Sequence, residues 1–173
     1  YNPNFINSTG NANTYNLHLN SPSAAESLGK STSAVPFDID NESRNSATPD
    51  VGMDEGNFTA VDVTQPIINY TPFGPSCTAS GRILEATITD VTGVPVAGSA
   101  RPRIYYRKNN IGNYFDRVGT LQSGNGQSGD WDFPIIAADM GGLVDGDIVS
   151  YFVVAQDLST QNNFGSYPFG AFG

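Results

Sequence analysis

Cysteine is nearly absent from this chain: Cys77 stands alone among 173 residues, which excludes an internal disulfide and any metal centre built from several thiolates. Histidine is as scarce, His18 being the single one. A Cys–His nucleophile needs both side chains within hydrogen-bond reach. These two fall in different regions, so Cys77 reads as a small, half-buried side chain at a strand entrance, inside Gly74-Pro-Ser-Cys-Thr-Ala-Ser-Gly81. Positive charge is also in short supply, with 8 Lys and Arg against 17 Asp and Glu and a net charge of −9. Such a surface repels nucleic-acid phosphate and anionic lipid, so neither is an expected partner. No run approaches the ~20 apolar residues of a membrane span, so membrane insertion is not expected.

Turn formers, aromatics and β-branched residues are abundant. Gly and Pro number 19 and 11, aromatics reach 11%, and hydrophobic residues stay at 38%. With Asn, Ser and Thr also plentiful, this composition favours short strands joined by tight turns. Helical apolar spacing nowhere runs beyond two turns, so the fold class is all-β.

Residues 1–56 are rich in Asn and Ser. Tyr15-Asn-Leu-His-Leu19 alternates as a half-buried strand does. After it, Ser21 is placed to cap a short helix with Pro22 at its first position, Ala24–Leu28 supplying the turns and Gly29 ending it. Val35–Asp40 is extended. So few apolar side chains cannot offset the chain entropy of an isolated fifty-residue globule, but a stacked solenoid rung borrows its neighbour's core. The segment ends in Asp38-Ile-Asp-Asn-Glu-Ser-Arg44 and Pro49-Asp-Val-Gly-Met-Asp-Glu55. Together with the Tyr-x-Leu rung and the following Ser-Pro, this phrase resembles the closing segment of a right-handed parallel β-helix of the pectate-lyase-like kind. The resemblance implies that residues 1–56 are the terminal rungs and cap of a longer solenoid.

Residues 57–65 read as a linker, and from Pro66 the pattern changes. Strand-like stretches follow at Ile67–Tyr70, Ile83–Asp90, Arg103–Arg107, Asn113–Val118, Thr120–Gln122, Asp130–Ile135 and Asp147–Ala155. Lys108–Gly112 marks a turn, and Ser123–Gly129 a flexible hairpin loop. The last run, Tyr167-Pro-Phe-Gly-Ala-Phe-Gly173, reads as a final strand or a lead into another module. About seven strands at such spacing are what an immunoglobulin-like antiparallel sandwich presents. Gly146-Asp-Ile-Val-Ser-Tyr-Phe-Val-Val-Ala-Gln-Asp157 resembles the penultimate strand of bacterial Ig-like and fibronectin-III-like domains. Asp147, four residues before Tyr151, matches the spacing at which a tyrosine hydroxyl ties that strand to the preceding loop. Pro66–Pro72 and Ala86–Val94 also resemble such domains in large secreted or surface proteins of Bacteroidetes type. The expected organisation is thus solenoid end (1–56), linker (57–65) and Ig-like sandwich (66–173).

Two groups of side chains are candidates for binding. Asp38, Asp40 and Glu42 share one face of an extended segment, where carboxylates repel unless a cation lies among them. They are candidate calcium ligands, while Arg44, on the same parity, is the cheaper partner. Asp50, Asp54 and Glu55 read as solvated turn and hinge residues, not as an acid–base pair. Among the aromatics, Tyr106, Tyr114 and Trp131 are candidate glycan-stacking residues, although alternation sends about half the aromatic stock inside. Tyr105 and Tyr106 must face opposite ways, and Arg103, Arg107 and Arg117 are placed for cross-strand or cation–π contacts. No catalytic constellation emerges, and no cofactor beyond the calcium candidate. The expected role is a non-catalytic structural or binding region of a large exported cell-surface protein, adhesin-like or stalk-like, with polysaccharide or another surface protein as partner. The alternative is an accessory C-terminal region of a β-helix polysaccharide lyase or hydrolase whose catalytic rungs lie upstream.

Overall fold

The structure is a computed structural model and describes residues 3–32 and 34–170; the end of the closing aromatic–glycine run, residues 171–173, lies outside them. All its regular structure is strand apart from one 3-10 turn, Ala137–Met140. Two compact units divide the chain, Tyr1–Val63 and Thr64–Gly173.

The first unit has little regular structure. Strands β1 (Phe5–Asn7) and β2 (Asn16–Leu19) pair antiparallel, Phe5 opposite Leu19 and Asn7 opposite Asn16. Single bridges join Ser23 to Ala60 in parallel and Phe37 to Ser43 antiparallel. Stacked parallel rungs, the expectation for a solenoid end, do not occur among the described residues. The short helix expected at 24–28 is a turn instead. Tertiary partners claim the backbone groups a helix would use: Val51 N–H donates to Ala25 O at 2.9 Å, and Ser27 N–H to Asp50 Oδ1 at 2.7 Å. Ser27 itself sits at a φ of 58°, outside the right-handed helical region. Gly29 therefore stops no helix. It lets two backbones meet, since its N–H donates to Pro49 O at 2.6 Å and a Cβ there would lie 2.6 Å from that same oxygen.

The second unit is a two-layer sandwich. Its strands are β3 (Ile67–Asn69), β4 (Arg82–Thr89), β5 (Arg103–Lys108), β6 (Phe115–Val118), β7 (Thr120–Gly124), β8 (Ser128–Ile135), β9 (Val149–Gln156) and β10 (Phe164–Tyr167). They form two four-stranded sheets, β3-β4-β8-β7 and β10-β9-β5-β6, with every pairing antiparallel. This order is compatible with an Ig-like sandwich. Alternation decides the faces: Leu84, Ala86 and Ile88 of β4, Ile104 and Tyr106 of β5, Trp131, Phe133 and Ile135 of β8, and Val153 and Ala155 of β9 all enter one core. Each large apolar side chain so buried contributes about 1.5–3 kcal/mol. Gly119 joins β6 to β7 where the chain crosses between sheets. Its N–H donates to Pro102 O at 2.8 Å, and a Cβ there would run into the Phe133 ring.

Two local readings are corrected by this unit. The presumed flexible loop at 123–129 is mostly ladder, because Gly124 pairs with Gly129. Only a tight turn remains, with Asn125 Oδ1 accepting from Gln127 N–H at 2.9 Å and Ser128 N–H at 3.0 Å. Tyr151 does tie its strand down through its hydroxyl, but the partner is not the preceding loop. The hydroxyl accepts from Phe73 N–H at 2.7 Å, on the segment leaving β3. Asp147 instead organises its own turn, accepting from Val144 N–H at 2.9 Å and Asn109 Nδ2 at 2.8 Å. Those bonds, the backbone one first, hold the Asp147 carboxyl below its ordinary pKa.

Candidate functional sites

The acidic phrase of the first unit acts on its own backbone. Asp38 Oδ1 accepts from Asp40 N–H at 2.9 Å and Glu42 N–H at 2.8 Å, and Oδ2 from Glu55 N–H at 3.1 Å. Burial works to raise its pKa, yet the N–H groups of Glu42, Glu55 and Asp40, helped by Arg44, hold it below the ordinary value. Glu55 accepts from Asp50 N–H at 3.0 Å and Asn45 N–H at 3.1 Å, and meets Arg44 Nη1 at 3.4 Å. Arg44 also donates to Gly52 O at 2.6 Å and Asp50 O at 3.2 Å. Asp50 takes Ser27 N–H and, at 3.2 Å, Gly56 N–H. Its carboxyl is pushed up, first by burial and further by Glu26 and Glu55 nearby.

Asp50, Asp54 and Glu55 are only 3%, 6% and 9% exposed, so they are buried anchors and not the solvated hinge residues expected from sequence. The loops they join lack strand partners, and carboxylate oxygens accept the orphaned N–H groups instead. This network also rearranges the calcium candidates. Asp38 has both oxygens committed to N–H groups, Glu42 is exposed, and Asp40 turns to His18 Nε2 at 2.6 Å. The side chains that converge are His18, Asp40 and Asp54, with potential ligand atoms all within 4.8 Å of one another. Sequence alternation could not find this trio, because its members come from three separate segments.

The aromatic candidates divide by burial. Trp131 and Tyr106 are 1% and 0% exposed, so neither can lay a ring face on a sugar. The Tyr106 hydroxyl donates to Asp139 and accepts from Ile136 N–H at 3.2 Å; burial first, then Asp139, raises its pKa. Asp139 in turn pairs with Arg117 at 2.5 Å. Tyr114 stays at the surface, edge-on to Phe152 at 5.0 Å and beneath the Arg107 guanidinium at 4.4 Å. Tyr105, on the face opposite Tyr106, stacks on Phe152 at 5.2 Å. On the outer side of the β10-β9-β5-β6 sheet, Tyr105, Tyr114 and Arg107 thus lie together, the two tyrosines packed against Phe152, which is itself buried. The expectation that Tyr105 and Tyr106 part company points to Tyr105 as the surface member.

A cleft of about 740 Å³ opens between segments 73–82 and 143–151 of the sandwich, lined by Phe73, Arg82, Leu143, Asp145 and Tyr151 among others. Cys77 lies on its wall as an exposed free thiol, not the half-buried side chain expected. Arg82 covers the Phe73 ring at 3.7 Å.

No protein-family model matches this chain. Comparison with curated protein sequences likewise finds no match. Among the described residues, no helix is long and apolar enough to cross a membrane.

Proposed function

We propose that this chain is a non-catalytic structural and binding region of a large exported protein, the first unit sealing the end of a solenoid and the second displaying a ligand-binding face. The observation that carries the reading is the apolar surface of the first unit. Leu28, Val35, Phe37, Ile39, Val51 and Met53 are between 42% and 59% exposed, whereas Leu19 and Ala25 are buried. Leu28, Val35 and Val51 line one concavity of about 590 Å³. An exposed apolar array of this kind is covered by a partner in a soluble protein, and an upstream rung is the occupant that the β-helix resemblance implies. Carboxylate-anchored loops suit a cap, because they close an end without offering a free strand edge for further pairing. Intact mass and peptide mapping of the protein from its source test this. A longer chain with rung-like repeats ahead of Tyr1 is expected. A native chain starting near Tyr1 overturns the cap and makes an assembly partner the covering surface.

For the second unit, the ligand class that the Tyr105–Tyr114 surface suits is carbohydrate, the two rings resting on the buried Phe152 and Arg107 held over Tyr114. Calorimetric titration with acidic and neutral oligosaccharides is expected to show binding that Tyr114→Ala weakens at least about tenfold, the equivalent of ~1.4 kcal/mol. Equal binding by the variant removes this face from consideration.

A further inference from the structure

We propose that His18, Asp40 and Asp54 form a divalent transition-metal site, with zinc as the best-matched ion, that ties together three segments of the first unit. The backbone already assembles it. Ile39 N–H donates to Met53 O at 2.9 Å, which sets Asp40 beside Asp54. Leu19 N–H donates to Asp54 Oδ2 at 2.6 Å, which sets β2, and with it His18, against the same carboxylate.

Two independent features point to a cation there. The first is the imidazole. His18 Nδ1 lies 2.5 Å from Asn16 Oδ1, and that atom is fixed as an acceptor because it also takes the His18 backbone N–H at 3.1 Å. Nε2 lies 2.6 Å from Asp40 Oδ2. With Nδ1 directed at Asn16, Nε2 is the ring nitrogen left facing Asp40 and Asp54. At 2.6 Å the Nε2–Asp40 contact is direct, so an ion seated among the three ligand atoms would replace that contact as the side chains part to ligand spacing. Nδ1–H held by an outer acceptor is also how metal-binding histidines are commonly oriented.

The second is Asp54, which is 94% buried by its 6% exposure. Leu19 N–H is its sole hydrogen-bond donor, and no Lys or Arg pairs with it among the described residues. Buried carboxylates are ordinarily paired or bound to metal.

One imidazole nitrogen and two carboxylate oxygens are zinc ligands, leaving a fourth position for water, whereas calcium takes six to eight oxygens. His18 and Asp40 side chains are 40% and 51% exposed, which provides an entry path. In a unit with so small an apolar core, metal binding would add directly to folding stability.

Zinc titration of the full chain carrying Cys77→Ser, which removes the exposed thiol as a competing ligand, tests the site. His18 is the single histidine, so its ring NMR signals report on the site alone. One equivalent of zinc is expected to shift them and to raise the melting temperature of the first unit. Asn16→Ala is expected to weaken zinc about 10–100-fold as an outer partner, and His18→Gln to weaken it further. Asp54→Asn retains an acceptor for Leu19 N–H, so it separates loss of metal from loss of fold. Ring signals that zinc leaves unmoved, or zinc affinity unchanged in His18→Gln, overturn the proposal, as does a shift produced by calcium but not by zinc.

Discussion

The two units hold themselves together by different means. The sandwich buries Trp131, Phe133, Tyr106, Leu84, Ile88 and Ile104 between paired sheets, and its backbone polar groups are satisfied by strand ladders. The first unit buries Leu19 and Ala25, and alongside them Asp50, Asp54 and Glu55. Where strands are missing, carboxylates do the work of ladder carbonyls: Asp38, Asp50, Asp54 and Glu55 each accept at least one backbone N–H. Acids are used in a different balance in the two halves. In the sandwich, Asp116 and Asp139 pair with Arg103 and Arg117, while the buried Asp90 and Asp157 accept N–H groups of their own turns. In the first unit the buried acids Asp50, Asp54 and Glu55 join separate segments of a chain that has few strands.

The largest effect expected from this contrast is in the apolar core. Phe133→Ala removes a fully buried ring beneath Gly119 and should cost the sandwich about 3–5 kcal/mol. Denaturant unfolding followed by Trp131 fluorescence measures it. Protection of first-unit amides should be unchanged, and a matching loss there would break the division into separately stabilised units.

Glu55→Ala tests the other half. It leaves the N–H groups of Asp50 and Asn45 without acceptors and Arg44 without its carboxylate, a loss of about 3 kcal/mol confined to the first unit. Limited proteolysis should then cut within residues 38–56 while the sandwich stays intact. Resistance equal to the parent chain would mean the carboxylate network contributes little.

Acid should separate the units by a smaller margin. Asp38 has a lowered pKa in the folded state, so its contribution is complete above the ordinary aspartate range and is lost as pH falls through the lowered value. Asp50, whose pKa is raised, acts in the opposite direction: its folded form gains stability as it takes up a proton. Amide exchange, corrected for its intrinsic pH dependence, should accelerate at Asp40, Glu42 and Glu55 below the aspartate range and not at Ile104. Acceleration that begins well above that range would contradict the sign.

Smallest is Asp116→Asn, which removes an exposed partner of Arg103 and should change stability by less than about 0.5 kcal/mol by thermal melting. A cost approaching that of Glu55→Ala would erase the distinction between surface and internal acids.

Much of the sandwich was legible in the sequence. The alternation of Ile83–Asp90, Arg103–Arg107 and Asp147–Ala155 locates β4, β5 and β9 within a residue or two, because two-residue periodicity is local and each strand buries one face. The same rule says that Tyr105 and Tyr106 point oppositely, but not which of them is inside. Sheet order decided that, and it sent Trp131 inside with Tyr106. β1 was not anticipated at all, since three residues of Phe-Ile-Asn carry no periodic signal.

In residues 3–63 local patterning misled. Ser21-Pro22 followed by Ala24–Leu28 has the composition of a short helix, yet Pro49–Val51, more than twenty residues away, takes up its backbone groups. The acids looked solvated because carboxylates usually are. What the sequence by itself determined is the class of the protein, the approximate positions of the strands between 67 and 156 and its poverty of apolar side chains before that point. By contrast, β10 (Phe164–Tyr167) ends at the first residue of the run read as a final strand or a lead into another module. Only the tertiary structure decided that Asp50, Asp54 and Glu55 are buried and that His18 meets Asp40 and Asp54. The reason is physical: periodicity is written between neighbours two residues apart, whereas a carboxylate accepting an N–H from a distant loop depends on where the whole chain has gone.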